Sequence, residues 1–170
     1  MYRIVEVTDP ELLQRTVELL RAFPNHQRRR YAEHIRTVDH YFDDVAYDQE
    51  LAELARRYGP PHGCVIAAVE DGQVIGAVCL RRLNDDACEM KRLYVPPEHR
   101  RKGVAKSLVQ ALTEFASQLG YRVMRLDTGS FMTEALALYT SCGFTRIPPY
   151  YPMDETLASE FVFMENKLVE

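Results

Sequence analysis

The stretch "VPPEHRRKGVAKSLVQALTEF", Val95 to Phe115, decides how the rest of this chain is read. A strand-like run ends at two prolines, a glycine stands among basic residues, and an amphipathic helix follows. A helix N-terminus presents free N–H groups and a partial positive charge, so a loop that feeds one suits an anion. Here the loop adds Arg100, Arg101 and Lys102. Gly103 lets the backbone come close to a ligand, Ala105 leaves room beside it, and Lys106 can reach back from the first turn. That set suits a pyrophosphate.

Two common phosphate motifs fail at this position. A Walker loop needs G-x-x-x-x-G-K-[ST], but Arg100 takes the first glycine position and Ala105 precedes Lys106-Ser107. The dinucleotide fingerprint G-x-G-x-x-G is absent as well.

Working outward, the C-terminal side reads as strand "YRVMRLDT", helix "MTEALALYTSC" and short strand "FTRI". The loop "PPYYPMDETLASE" and a last strand "FVFMENKL" follow. The long helix should run from about Arg101 to Leu119 and stop at Gly120. On the N-terminal side, "CVIAAVE" and "QVIGAVCLRRL" flank Asp71-Gly72, a two-residue hairpin signal, and "ACEMKRLYV" makes a third strand after "NDD". Before them, "YRIVEV" alternates as a first strand, and Asp9-Pro10 marks a helix start. That helix should stop near "FPN". Gln27 to Tyr58 reads as two helices with a break near Asp43-Asp44, closed by the turn "GPP". The order β-α-α-β-β-β-α-β-α-β-β predicts a single α/β (α+β) domain over residues 1–170. Its one mixed, mainly antiparallel sheet of about seven strands carries helices on both faces. The unit from Glu89 to Asp127 supplies a parallel pair with a right-handed crossover.

The totals agree with one soluble domain. The chain has 170 residues, 46% of them apolar and 27% charged, as in an ordinary globular core. A net charge of −4 gives no global pull toward nucleic acid or membrane, so any anion site is local. Cys64, Cys79, Cys88 and Cys142 form no CxxC pair, and the histidines lack finger or HExxH spacing, so neither a disulfide framework nor a metal is expected. The first residues lack an apolar signal core and no run approaches the length of a membrane span, which makes the expected location cytoplasmic.

The loop Arg100-Arg101-Lys102-Gly103-Val104-Ala105 fits [QR]-x-x-G-x-[GA]. It follows the strand "MKRLYV" and opens a long helix, and "ALALYTSCGF" comes later with Tyr139 and Gly143-Phe144. With both blocks in this order, the sequence resembles the Gcn5-related N-acetyltransferase (GNAT) family, over an element order spanning about residues 3 to 168. One departure is Met132, where many members carry asparagine three residues before the equivalent of Ala135.

The resemblance implies an acyl-CoA N-acyltransferase fold and an enzyme that carries acetyl from acetyl-CoA to a primary amine, without a metal. The fourth strand should splay from its neighbour, with the pantetheine arm bonded to backbone groups at Leu93, Tyr94 and Val95. The pyrophosphate should take the amides from Arg101 to Lys106, and an amide near Leu93 or Tyr94 should face the thioester oxygen. By the same resemblance Glu89 is the candidate general base, and its bland alternative is an exposed strand-end carboxylate. Tyr139 is the candidate donor to the leaving thiolate. The thiol pKa of about 8.5 lies below tyrosine's ~10, so the phenol's help is modest.

No motif names the acceptor, a small-molecule or protein amine. Tyr150 and Tyr151 lie in the proline-stiffened loop where the family binds it, and would either line its pocket or cover a sheet edge. Dimers are frequent in the family, so a homodimer is among the assemblies it implies. A non-catalytic acyl-CoA-binding or sensing module of the same fold is the other reading of these motifs.

Overall fold

The structure is a computed structural model, and it describes residues 1–169. Strand β1 (Arg3–Glu6) leads into Asp9, whose carboxylate accepts the Leu12 amide at 3.0 Å. This cap starts α1 (Pro10–Arg21), with proline at a first-turn position where no N–H is needed. The first helix stops just before "FPN", as expected, but the next one starts earlier than Gln27. After a hinge at Ala22 the chain enters α2 (Phe23–Arg30), because Pro24 again sits in a first turn, where proline is tolerated. A 3-10 turn at Ala32–His34 and α3 (Ile35–Tyr41) follow. The predicted break falls at Asp43, which caps α4 (Asp44–Ala52) by accepting the Ala46 amide, and α5 (Leu54–Tyr58) closes the block.

Strands β2 (Cys64–Glu70) and β3 (Gln73–Arg82) form the expected hairpin. Asp71 and Gly72 both have positive φ, 49° and 77°, as its two-residue turn requires. Then come β4 (Ala87–Tyr94), α6 (Val104–Gln118), β5 (Val123–Gly129) and α7 (Thr133–Ser141). Strand β6 (Thr145–Ile147), the one-turn α8 (Glu155–Ala158) inside the tyrosine loop, and β7 (Phe161–Lys167) complete the chain. The sheet order is β1-β2-β3-β4-β5-β7-β6, seven strands in which only β4 and β5 run parallel.

Alternation along the strands loads both faces of the sheet. Cys64, Ile66 and Leu80 pack with Leu108, Val109 and Leu112 of α6, while Val65, Ala77 and Cys79 pack with Leu20, Phe42, Leu51 and Tyr58 of the N-terminal helices. Leu108, Val109 and Leu112 are fully buried, and each such burial stabilises the fold by ~1.5–3 kcal/mol. Among the described residues no helix is long and apolar enough to cross a membrane.

Candidate active site at the split between the two parallel strands

The β4–β5 ladder lasts three residues. Ala87, Cys88 and Glu89 pair with Val123, Met124 and Arg125, and beyond them the strands part. On its other side β4 stays paired with β3, through a bulge in which Lys91 and Tyr94 face Cys79 and Ala77. Three residues of β4 thus span two of β3, and Arg92 takes up the extra length with φ +59°. The edge from Met90 to Tyr94 therefore offers backbone groups without a β5 partner.

That edge opens onto a cleft of about 500 Å³, within the range of small-molecule sites. Its floor is Leu93, Tyr94 and Val95, and its far wall is the start of α6. This helix begins three residues later than its sequence suggests, at Val104. Arg101 and Gly103 are left-handed, with φ +59° and +80°, and cannot continue a helical turn. No side chain caps the helix, so its first-turn amides are free for an incoming anion. A Cβ on Gly103 would stand 3.5 Å from the Tyr2 hydroxyl. Tyr2 braces the loop from behind through Ser107, 3.0 Å away. The donor set and open cradle fit a pyrophosphate.

Arg100 faces inward. Its Nε donates to the Val95 carbonyl at 3.0 Å, and its Nη2 donates to His26 Nε2 at 2.8 Å. Burial, then the nearby charge of Arg100, lowers the His26 pKa, so the ring is the neutral acceptor this contact needs. Opposite, Arg30 of α2 and Glu134 of α7 pair at 2.7 Å across the cleft.

A second, smaller pocket of about 70 Å³ lies between the sheet and helices α2 and α3. Both cavities are lined by Phe23, Gln27, Leu93, Met132 and Tyr139, so they meet at these side chains. Tyr139 is buried, and its hydroxyl makes no hydrogen bond among the described residues. Burial first, and the charge of Asp127 second, push its phenol well above the ordinary tyrosine value.

Nine of the ten residues expected to bind coenzyme (Leu93, Tyr94, Val95, Arg100, Arg101, Gly103, Val104, Ala105 and Lys106) line the cleft together. Lys102 is exposed and lines no part of it. Glu89 is not the exposed strand-end carboxylate of its bland alternative. It is 1% exposed, and its carboxylate accepts from Arg81 at 2.7 Å and from the Tyr150 hydroxyl at 2.6 Å. It lines neither cavity, because its two oxygens are turned to these partners. Tyr150 and Tyr151 do more than cover an edge: Tyr151 donates to Asp127, so the loop is stapled to one carboxylate on each side of the split. Sequence reasoning passed over Asp127, Lys91, Arg92 and Tyr41, all of which line the inner pocket. Among the described residues no cluster of three or more metal-ligating side chains occurs.

A splayed parallel pair above an uncapped, glycine-started helix is the architecture of acyl-CoA N-acyltransferases, and the comparisons agree. Residues 29–144 match the acetyltransferase (GNAT) family, and the chain belongs to it. An uncharacterized N-acetyltransferase of Schizosaccharomyces pombe is 42% identical over 116 residues, covering 67% of this chain and 70% of that protein. Human N-acetyltransferase 8 is 34% identical over 109 residues, 61% of this chain, and the match spans 48% of that longer relative. In fold, the chain is similar to the PaiA N-acetyltransferase of Thermoplasma acidophilum, solved with coenzyme A. The TM-score is 0.68 with 18% identity, over 98% of this chain and 99% of that one. Members of the family are acyltransferases.

Proposed function

We propose that this chain is an acetyl-CoA-dependent N-acetyltransferase acting on a primary amine of a small molecule or protein. The observation that carries this reading is the meeting of two cavities at Tyr139, one with an anion cradle and one lined by polar and aromatic groups. In this reading the pantetheine arm runs along the unpaired edge of β4 at Leu93 to Val95, and the pyrophosphate takes the free amides at the start of α6. An amide at Leu93 or Tyr94 donates to the thioester oxygen.

The amine enters through the inner pocket, and its lone pair attacks the thioester carbonyl. A C–N bond forms, the C–S bond breaks, and the sulfur leaves as a thiolate beside Tyr139. One amine proton ends on the sulfur, and the second proton of an ammonium goes to water. Because burial holds the phenol above its ordinary value, Tyr139 gives the sulfur a hydrogen bond rather than a proton. Glu89 serves here as a positioning group that holds Tyr150 and the β6–β7 loop.

The test is acetyl-CoA consumption, followed as free thiol across a panel of amines and peptides, with coenzyme A binding measured by calorimetry. Turnover that falls in Tyr139→Phe supports the proposal. Tight coenzyme binding with no turnover on any acceptor, unaltered in that variant, would identify a sensing module instead.

A further inference from the structure

Six charged side chains converge where β4 and β5 part: Arg81, Lys91 and Arg92 against Glu50, Glu89 and Asp127. Two pairs are in direct contact, although Arg92 keeps a buried Nη1 without a hydrogen-bond partner. Arg81 meets Glu89 at 2.7 Å, and Arg92 meets Glu50 at 2.6 Å. The remaining pair is not: Lys91 Nζ stands 3.7 Å from Asp127 Oδ1, beyond hydrogen-bond distance. One Asp127 oxygen is taken by Tyr151, while Oδ1 has no well-formed hydrogen bond, although the Tyr41 hydroxyl lies close to this carboxylate and the side chain is 1% exposed. Lys91 donates one hydrogen bond, to the Tyr41 hydroxyl at 3.3 Å, and an ammonium has three donors. Both residues line the inner pocket, and Lys91 also lines an outer mouth of about 310 Å³ beside it.

A buried carboxylate oxygen without a donor is costly, and the ammonium beside it has donors to spare. A ligand carrying one donor and one anionic acceptor serves both. The spacing restricts which ligand. A ligand that bridges from the side two groups 3.7 Å apart must carry its own two charges at a similar spacing. In an α-amino acid the nitrogen and the carboxylate share one carbon and lie roughly 3 Å apart. An amine with its carboxylate several carbons away would span too far.

Resting on the acetyltransferase reading above, we infer that the acceptor is an α-amino acid, its amine held by Asp127 Oδ1 and its carboxylate by Lys91 Nζ. The small inner pocket admits the head group, next to Tyr139 and the coenzyme cleft. The side chain points to the mouth, where Pro152, Met153 and Leu157 favour an apolar one.

The experiment compares leucine and phenylalanine with leucinamide, phenylalaninamide and the two decarboxylated amines, all at saturating acetyl-CoA. Loss of the carboxylate should lower kcat/KM by about tenfold to a hundredfold, as expected for one charge-assisted hydrogen bond. Lys91→Met should shrink that preference toward unity, and Asp127→Asn should lower kcat/KM on all six. Calorimetric coenzyme A affinity reports whether each variant is folded. Equal or better use of the amides or amines by the unaltered protein overturns the assignment and points to peptide or simple amine acceptors. So does coenzyme binding with no acetylation of either amino acid. Failure to bind coenzyme A at all would instead remove the acetyltransferase reading on which the assignment rests.

Discussion

Arg92, on the bulge of β4, is clamped from two sides by Glu50 of α4: Nε donates to Oε2 at 2.6 Å, and Nη2 donates to Oε1 at 3.1 Å. The guanidinium also lies about 5 Å from the rings of Tyr41, Phe42 and Tyr47, and Tyr58 donates to Glu50 at 2.9 Å. The left-handed Arg92 ends the regular ladder and turns Leu93 to Val95 toward the cleft, so this pair fixes the cofactor edge to the N-terminal helices.

Breaking the pair leaves a buried charge uncompensated. Glu50→Ala should cost about 3–5 kcal/mol. In a domain of this size that lowers Tm by roughly 6–20 °C, measured by calorimetric or circular-dichroism melting. A loss of under about 1 kcal/mol would mean that the aromatic rings alone hold Arg92.

The same pair has a pH signature. Burial alone would raise the Glu50 pKa, but the hydrogen bonds and charge of Arg92 outweigh it and hold the carboxyl below its ordinary range. A depressed folded value means that stability from Glu50 is fully present above the unfolded pKa near ~4.3, and is lost as pH falls through the folded value. Urea midpoints taken from pH 6 downward should fall less steeply in Glu50→Gln than in the unaltered protein below about pH 4.3. Parallel curves would exclude Glu50 as a contributor to acid unfolding.

Gly103 begins α6 at φ +80°, where a β-branched side chain is strained by roughly 1–2 kcal/mol and would push on Tyr2 behind the loop, distorting the anion cradle. Gly103→Val should weaken coenzyme A binding at least about tenfold by calorimetry while the melting temperature drops by only a few degrees. Unaltered affinity would remove the pyrophosphate from this loop.

Most of the fold was legible because its signals are local. Asp71-Gly72, the Asp9 cap and Gly120 act within a few residues, and periodicity identified all seven strands. The second helix begins at Phe23 rather than Gln27, because Pro24 in a first turn is neutral and lets it start there. The cleft beside α6 was legible for the same reason, being one loop and one strand. The inner pocket was not. Asp127 looks like any polar residue ending a strand in "MRLDT", and its meaning depends on Tyr151, Lys91 and Tyr41 from three other segments. Glu89 was read by position alone, and Arg81 and Tyr150 decide what its oxygens can do. One hint was present: Glu89, Lys91 and Arg92 put three charges into a strand flanked by apolar core.

Thiol reactivity separates the four cysteines. Burial raises Cys64 and Cys88 to about 12 and lifts Cys79 further, while Cys142 at the end of α7 is partly exposed. Thiolate is the reactive form, so at pH 8 one thiol per chain should label quickly, and Cys142→Ser should abolish that phase. The other three should react only at the rate of unfolding. Two fast thiols in the native protein would contradict this packing.

Tyr139 is the residue on which chemistry and binding separate most cleanly. Its ring packs against Phe144, with centroids 5.9 Å apart, and the residue lines both cavities, so Tyr139→Phe removes one oxygen and little packing. If the phenol stabilises a departing thiolate, the loss falls on kcat, by about tenfold to a hundredfold for a hydrogen bond to a charged atom. KM for the acceptor and affinity for coenzyme A should hardly change, because neither ground state bears that charge. The raised phenol value adds a second constraint: ionisation of Tyr139 should not limit kcat up to about pH 10. A basic limb near pH 9 that disappears in the phenylalanine variant would show instead that Tyr139 titrates in the working range. A fall confined to KM would make it a wall of the acceptor pocket.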